Sequence, residues 1–151
     1  MYNLIGEYDV RLDDKNRLRM PGSLVKQIGE DIRLGLVINR GTEKCLNLYP
    51  QKLWDWKSGI VNKLNLHIPE NKEFARYFYR GATPVELDSS SRILLPKLLL
   101  EHADIQQDIV INVFGSEIEI WSRKAYENLI ANEPKNAVQL AQKIFAQNVV
   151  G

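Results

Sequence analysis

The chain has 151 residues, of which 44% are hydrophobic and 26% charged, as is ordinary for a soluble globular protein. Its 20 Lys and Arg residues against 19 Asp and Glu residues give a net charge of +1, which argues against a uniformly basic nucleic-acid binder. The distribution of charge matters more than its sum, because a local basic stripe sets the local potential.

One cysteine, Cys45, rules out an intramolecular disulfide and a cysteine zinc cluster, and we expect it to be a small core residue. The first residues lack a basic segment followed by an apolar run, so we expect no secretory signal. No apolar stretch reaches the roughly 18 residues of a membrane span. These features predict a cytoplasmic protein without a membrane partner.

The first predicted element is a strand, in which Tyr8, Val10 and Leu12 alternate with polar residues. A polar turn, "DDKN", follows. Its last residue, Asn16, tolerates a left-handed backbone better than most residues.

Pro21 predicts the first turn of a short helix that Gly29 closes. Residues 34–39 and 45–48 predict a hairpin around "RGTEK". Pro50 then opens a helix over residues 51–64, for which we expect four buried positions: Leu53, Trp54, Ile60 and Leu64.

Between the two halves of the chain, "IPENKEFARYFYRGAT" predicts a linker helix. Asn71 is expected near its N-cap and Gly81 just beyond its C-terminus. Phe74, Tyr77 and Phe78 share one face. After a second half of the same plan, Val138, Ala141, Ile144 and Phe145 predict an amphipathic C-terminal helix or a loosely held tail.

The two halves are a duplication. "LDDKNRLRMP" at residues 12–21 aligns without a gap with "LDSSSRILLP" at residues 87–96. Further on, "LVINR" resembles "IVINV" and "LNLYPQKLW" resembles "IEIWSRKAY". Each half contains too few strands to cover its own apolar face, so we expect the halves to interlock and the chain to form homo-oligomers.

These motifs, with the "FARYFYRGAT" linker and the "IEIW" strand, resemble the MraZ family of bacterial transcriptional regulators. The resemblance covers roughly residues 4–130. It implies a β-rich α+β fold: two tandem swapped-hairpin AbrB-like modules packed as one pseudo-symmetric, β-barrel-like protomer with flanking helices. The implied segments are a first domain at 5–53, a helical linker at 54–80, a second domain at 82–125 and a C-terminal helix or tail at 126–151.

The resemblance also implies a function. Family members assemble into ring-shaped homo-oligomers and bind short DNA repeats upstream of the division and cell-wall gene cluster, which would make the protein nucleoid-associated. In the family the first Asp-x-x-x-Arg loop supplies cations that contact DNA, and this role carries over to Lys15 and Arg17.

The residues of the first loop agree with that role. Four cations against two acids give a local charge of +2: Arg11, Lys15, Arg17 and Arg19 against Asp13 and Asp14. Arg can chelate guanine, whereas Lys acts as a point charge for phosphate. Arg17 is the candidate for base or backbone readout and Lys15 for phosphate; Arg11, Arg19 and Arg92 are further candidates.

A structural interpretation stays open for the paired motif residues. Asp13 with Arg17, and Asp88 with Arg92, are equally typical of ion pairs that fix each turn. We assign Asp13, Asn16, Pro21, Asp88 and Pro96 to the scaffold. The family usually has Gly at the position of Asn16, and the second loop has Ser91 there and no Lys, which puts its own DNA contact in doubt.

Nothing in the sequence predicts an enzyme, a cofactor, a metal site or a small-molecule substrate. His67 and His102 lie far apart without a metal-ligand spacing, and there is no P-loop, G-x-S-x-G or G-x-G-x-x-G motif. The alternative function is an AbrB-like protein-interaction or antitoxin-type module, because one fold serves several functions.

Overall fold

The computed structural model describes residues 1–148, in which strands and helices follow each other in two similar series. The strands are β1 Leu4–Arg11, β2 Arg17–Arg19, β3 Leu36–Arg40, β4 Leu46–Pro50, β5 Thr83–Val85, β6 Arg92–Leu94, β7 Asp108–Gly115 and β8 Glu117–Ser122. The helices are α1 Gly22–Ile28, α2 Gln51–Asn62, α3 Pro69–Tyr79, α4 Lys97–His102, α5 Arg123–Ala131 and α6 Ala137–Asn148, with a 3₁₀ helix over Gly29–Leu34.

The strands of the two halves pair with each other. Six of them form one antiparallel sheet in the order β1-β7-β8-β4-β3-β5, and β2 and β6 form a separate two-stranded ribbon. The first strand of each half pairs with the third strand of the other half, as β1 with β7 and β5 with β3. The second strands pair in the ribbon, and the fourth strands, β4 and β8, join the two hairpins. Neither half therefore completes its sheet alone.

The predicted mixed α+β, strand-rich class is confirmed by this arrangement. The six-stranded sheet is not closed, since β1 and β5 are its edges, so the barrel-like closure is not confirmed. The proposed domain boundaries stay a prediction. The last three residues of the predicted C-terminal segment, 149–151, lie outside the described residues.

One hydrophobic core draws on both halves. Its most deeply buried members include Leu18, Leu24, Ile38, Leu46, Ile93, Leu99, Ile109 and Ile120. Leu18 and Ile93 are opposite each other in the ribbon and are both almost completely buried. Burying this apolar surface is the main favourable term in folding.

Two smaller clusters lie beside the main core. Val37, Tyr49, Leu53 and Trp54 form one, against which Phe78 of α3 packs. Cys45 belongs to the other, with Val110, Trp121 and Tyr126, which confirms its predicted place in the core. Within residues 1–148, none of the helices combines the length and the apolar character that crossing a membrane requires.

The buried face of α2 differs from the predicted one. Leu53 and Trp54 are buried as expected, but Ile60 is 52% exposed and Leu64 lies beyond the helix end at Asn62. The other two buried positions are Ser58 and Val61, which lie four and seven residues after Trp54. Since each residue turns the helix by about 100°, choosing Ile60 in place of Val61 rotates the predicted face away from the core.

The linker helix α3 is less buried than its aromatic face predicts. Phe74 and Tyr77 are about half exposed, and only Phe78 stacks on Trp54, with ring centroids 5.1 Å apart. Ile68 occupies the N-cap, so Asn71 lies inside the first turn. The predicted terminator is confirmed, because Gly81 follows the C-cap with φ +89.

The predicted C-terminal helix is confirmed as α6. All described residues from 132 onward are exposed, including Val138 and Phe145, which are each 68% exposed. Its apolar side chains are therefore largely open to solvent in the part of the chain that the structure describes.

Candidate nucleic-acid interface

The first loop is organised by one carboxylate. Asp13 Oδ1 accepts hydrogen bonds from the backbone N–H groups of Lys15 and Arg17, at 2.9 and 2.8 Å. Asp13 Oδ2 accepts from Arg17 Nε at 2.7 Å. The Asn16 N–H donates to the Asp13 carbonyl at 3.1 Å, which closes a tight turn.

The second loop repeats this pattern. Asp88 Oδ1 accepts from the backbone N–H groups of Ser90 and Arg92, at 2.8 and 3.0 Å. Asp88 Oδ2 accepts from Arg92 Nε at 3.0 Å. The Ser91 N–H donates to the Asp88 carbonyl at 3.0 Å. The Asp-x-x-x-Arg spacing therefore has a structural cause in both copies: an aspartate turn whose carboxylate also pairs with the arginine.

Both turns require the same backbone conformation. Asn16 has φ 61 and Ser91 has φ 60, in the left-handed region that favours glycine. Asn is the better adapted of the two, because its short polar side chain tolerates this region.

The two loops are bonded to each other. In the ribbon, Arg19 of β2 lies opposite Arg92 of β6. The Met20 N–H donates to the Ser91 carbonyl at 2.8 Å, and the Leu95 N–H donates to the Asn16 carbonyl at 2.9 Å. The structure therefore holds the basic and the serine-rich loops in one unit.

These contacts stabilise the ionised form of the two loop aspartates. The backbone N–H of Arg17 is the largest cause that lowers the pKa of Asp13, and the backbone N–H of Arg92 does the same for the pKa of Asp88. Both aspartates therefore stay ionised further into the acid range than a free aspartate, and both motif arginines are occupied by ion pairs.

The other predicted cations differ in their contacts. Lys15 and Arg19 are exposed and form no ion pair with the part of the chain that the structure describes. Arg11 donates to Gln107 at 2.6 Å and lies 3.6 Å from Asp108. Arg11 and Arg19 line one shallow groove of about 460 Å³ that also contains Met20, Pro21 and Gly22.

A cluster elsewhere in the molecule brings metal-ligating residue types together. Donor atoms of Glu43, Cys45 and Glu119 lie within 4.8 Å of one another. Glu119 already accepts hydrogen bonds from Asn112 and Trp121. Burial is the main cause that raises the pKa of Cys45 to about 12, which disfavours the thiolate that a metal binds. Hydrogen bonds within the chain therefore orient Glu119, and burial keeps Cys45 a neutral thiol.

A family model described as "MraZ protein, putative antitoxin-like" matches residues 4–76 and 78–146. The chain belongs to the MraZ family. The two separate matches follow the duplication, and together they include both loops and both hairpins of the sheet.

Several curated MraZ proteins are similar to this chain over most of its length. One, "Transcriptional regulator MraZ" of Flavobacterium psychrophilum, is 36% identical over 96% of this chain and 93% of that protein. Proteins of the same name from Cytophaga hutchinsonii and Clostridium tetani are 36% and 34% identical. They cover 93% and 82% of this chain, and the matches span 93% and 84% of those proteins.

One contact in the MraZ loops was not predicted. Arg92 Nη1 of the second loop lies 3.6 Å from Asp13 Oδ2 of the first. The duplicated sequence motif could have predicted this contact. If two copies of one strand pair antiparallel, the arginine of one copy comes near the loop of the other.

Proposed function

We propose that this chain is a DNA-binding transcriptional regulator and not an enzyme. The observation that carries the proposal is membership of the MraZ family, with relatives named transcriptional regulators that align over nearly the whole chain. The exposed cations of the first loop give a physical basis for DNA as the partner.

The proposed DNA contacts begin with Lys15 and Arg19, which form no ion pair within residues 1–148. Lys15 is exposed in the loop and Arg19 in β2, so both can approach phosphate. Arg17 pairs with Asp13 through Nε. This geometry leaves the Nη groups as its donors for a base or phosphate. Arg11 is a secondary contact beside the same groove.

The proposed assembly is a homo-oligomeric ring of AbrB-like protomers that follow the swapped-hairpin plan, with domains at 5–53 and 82–125. The long strand β1 is an edge of the sheet, where the Gln27 amide bonds the backbone of Ile5 and no further strand pairs within residues 1–148. The exposed apolar residues of α3 and α6 offer a further partner surface. A ring would display several first loops to repeated DNA sites, which raises avidity without a new contact type. We propose that these sites lie upstream of division and cell-wall genes and that the protein is nucleoid-associated.

A second candidate function is an antitoxin-type or protein-interaction module. The observation that favours it is α6, whose apolar residues Val138, Ile144 and Phe145 are all more than half exposed. The description of the family model as antitoxin-like points the same way.

The regulator proposal is tested by electrophoretic mobility shift on DNA upstream of the chain's own gene, against random DNA of equal length at moderate salt. We expect tighter binding to the upstream DNA. Lys15→Ala and Arg19→Ala should each weaken binding. Each should also make the fall of log K, the binding constant, with log salt concentration less steep by about 0.9, which corresponds to the loss of one phosphate contact. Arg17→Ala should weaken binding and reduce discrimination against random DNA.

A matched control is Lys63→Ala, which removes an exposed cation just after α2, outside both loops. It should leave affinity and salt slope unchanged. Equal affinity of the wild type for upstream and random DNA would make the regulator proposal wrong. A defined complex with a protein partner that requires α6 would then support the second candidate. Light scattering after size exclusion tests the ring, and a stable monomer would contradict it.

A further inference from the structure

We propose that Arg92 is a positioning residue for DNA binding: it holds the first loop through Asp13 and does not contact DNA itself. This inference rests on the proposed function for its effect on DNA, but its structural step stands on contacts within the chain. It changes the predicted role of Arg92 from a DNA contact to a support for one.

The two motif arginines are not equivalent despite the duplication. Arg92 faces two carboxylates, with Nε 3.0 Å from Asp88 and Nη1 3.6 Å from Asp13. Arg17 pairs with Asp13 alone, and residues 1–148 contain no corresponding ion pair between Arg17 and Asp88. Asp13 is therefore the carboxylate that joins the two copies of the motif.

The position of Arg92 disfavours a direct DNA contact. Its side chain lies between two ionised carboxylates, whereas Arg17, which is exposed to a similar degree, pairs with one. One cation between two anions has little residual attraction for phosphate. Moving it would leave Asp88 without its ion-pair partner among the described residues and would leave Asp13 with Arg17 alone. Lys15, by contrast, is exposed and without an ion pair among the described residues.

A short chain of contacts connects Arg92 to the DNA-facing residues. The Asp13 oxygen near Arg92 is Oδ2, and the other oxygen of the same carboxylate accepts the N–H groups of Lys15 and Arg17. Fixing the orientation of this carboxylate fixes the loop backbone that carries both cations. The serine-rich loop thus contributes to DNA binding without a lysine of its own.

The DNA experiment compares full-length Arg92→Gln, Arg92→Lys, Asp13→Asn and the Arg92→Gln/Asp13→Asn double variant on the upstream DNA over a range of salt concentrations. Arg92→Gln should weaken binding about fivefold, within the range of couplings in one salt-bridge network, with the wild-type salt slope retained. Arg92→Lys should also weaken binding, because an ammonium cannot engage two carboxylates as a fork does. The double variant should bind no more weakly than Asp13→Asn.

Three results would overturn the proposal. The first is that Arg92→Gln reduces the steepness of the salt dependence of binding by about 0.9, as expected for Lys15→Ala. The second is that the losses of binding free energy in Arg92→Gln and Asp13→Asn add fully in the double variant. The third is that Arg92→Gln binds the upstream DNA with wild-type affinity. The first of these would make Arg92 a phosphate contact.

Amide hydrogen exchange without DNA tests the positioning step separately from the proposed function. In Arg92→Gln, the Lys15 and Arg17 amides should exchange about fivefold faster. The control Arg33→Gln removes an exposed guanidinium that pairs with Glu30, outside both loops, and it should not change these two amides. Unchanged exchange in Arg92→Gln makes the inference wrong even if the protein binds DNA. Faster exchange supports the positioning step even if the wild type does not prefer the upstream DNA, in which case only the proposed function fails.

Discussion

Single residues decide the shape of the two loops. In each aspartate, one carboxylate oxygen accepts hydrogen bonds from two backbone N–H groups and the other accepts from an arginine. Replacing the aspartate by asparagine would keep the size of the side chain but remove the ion pair. At the third position after each aspartate the backbone must be left-handed, as it is at Asn16 and Ser91. That requirement explains why Asn is suited to position 16.

The cost of the left-handed turn can be measured at Asn16. Asn16→Ala places a Cβ without a compensating polar group at φ 61 and should lower the free energy of unfolding by about 1 kcal/mol. Asn16→Gly should stay within about 0.5 kcal/mol of the wild type. Urea denaturation measures both. Asp14→Ala, at the exposed neighbour in the turn, is the control, and an Asn16→Ala midpoint equal to that of the control would contradict the strain argument.

At the scale of elements, the linker helix is attached by its C-terminal end. Asn39 Nδ2 donates to the Phe78 carbonyl at 2.7 Å, and the Arg40 guanidinium donates to the carbonyls of Tyr77 and Arg80. The same end of α3 stacks on Trp54 through Phe78. Carbonyls at a helix end have no partner within the helix, so these donors from β3 satisfy groups that would otherwise need water.

The duplication supplies a matched pair for testing this attachment. Asn39→Ala should cost about 1–3 kcal/mol in the free energy of unfolding, because Asn39 is buried and its loss leaves the Phe78 carbonyl without that partner. Asn112→Ala, at the corresponding position of β7, should cost less, since its partner Glu119 also accepts from Trp121. Urea denaturation measures the costs, and amide exchange in α3 should increase only in Asn39→Ala. Equal effects on α3 would show that Asn39 does not hold the helix.

At the scale of the whole molecule, the two halves share their sheet, their ribbon and their main core. Separating them would break every contact of β1 with β7, of β3 with β5, of β4 with β8 and of β2 with β6. Each half would then expose long unpaired strand edges and the apolar residues beneath them. The duplication in sequence is therefore not a pair of independent folding units.

Cooperative unfolding is the measurable consequence. Trp54→Phe/Trp56→Phe leaves Trp121 as the only tryptophan, which reports on the second half, and Trp121→Phe leaves the two tryptophans of the first half. Within each variant, at one protein concentration, tryptophan fluorescence and far-UV circular dichroism should give the same urea midpoint. Separated midpoints in either variant would mean that the halves unfold independently.

The sequence by itself determined the duplication, the loop turns and the family of this protein. These follow from local signals: alternation in β1, left-handed tolerance at Asn16, Pro21 before α1, and Gly81 after α3. Tertiary structure alone decided which strands pair across the halves, which face of α2 is buried, and that Arg92 rather than Arg17 faces two aspartates. The physical reason is that these outcomes depend on groups distant in the chain, and nearly identical motifs acquire different surroundings once the two halves pack against each other.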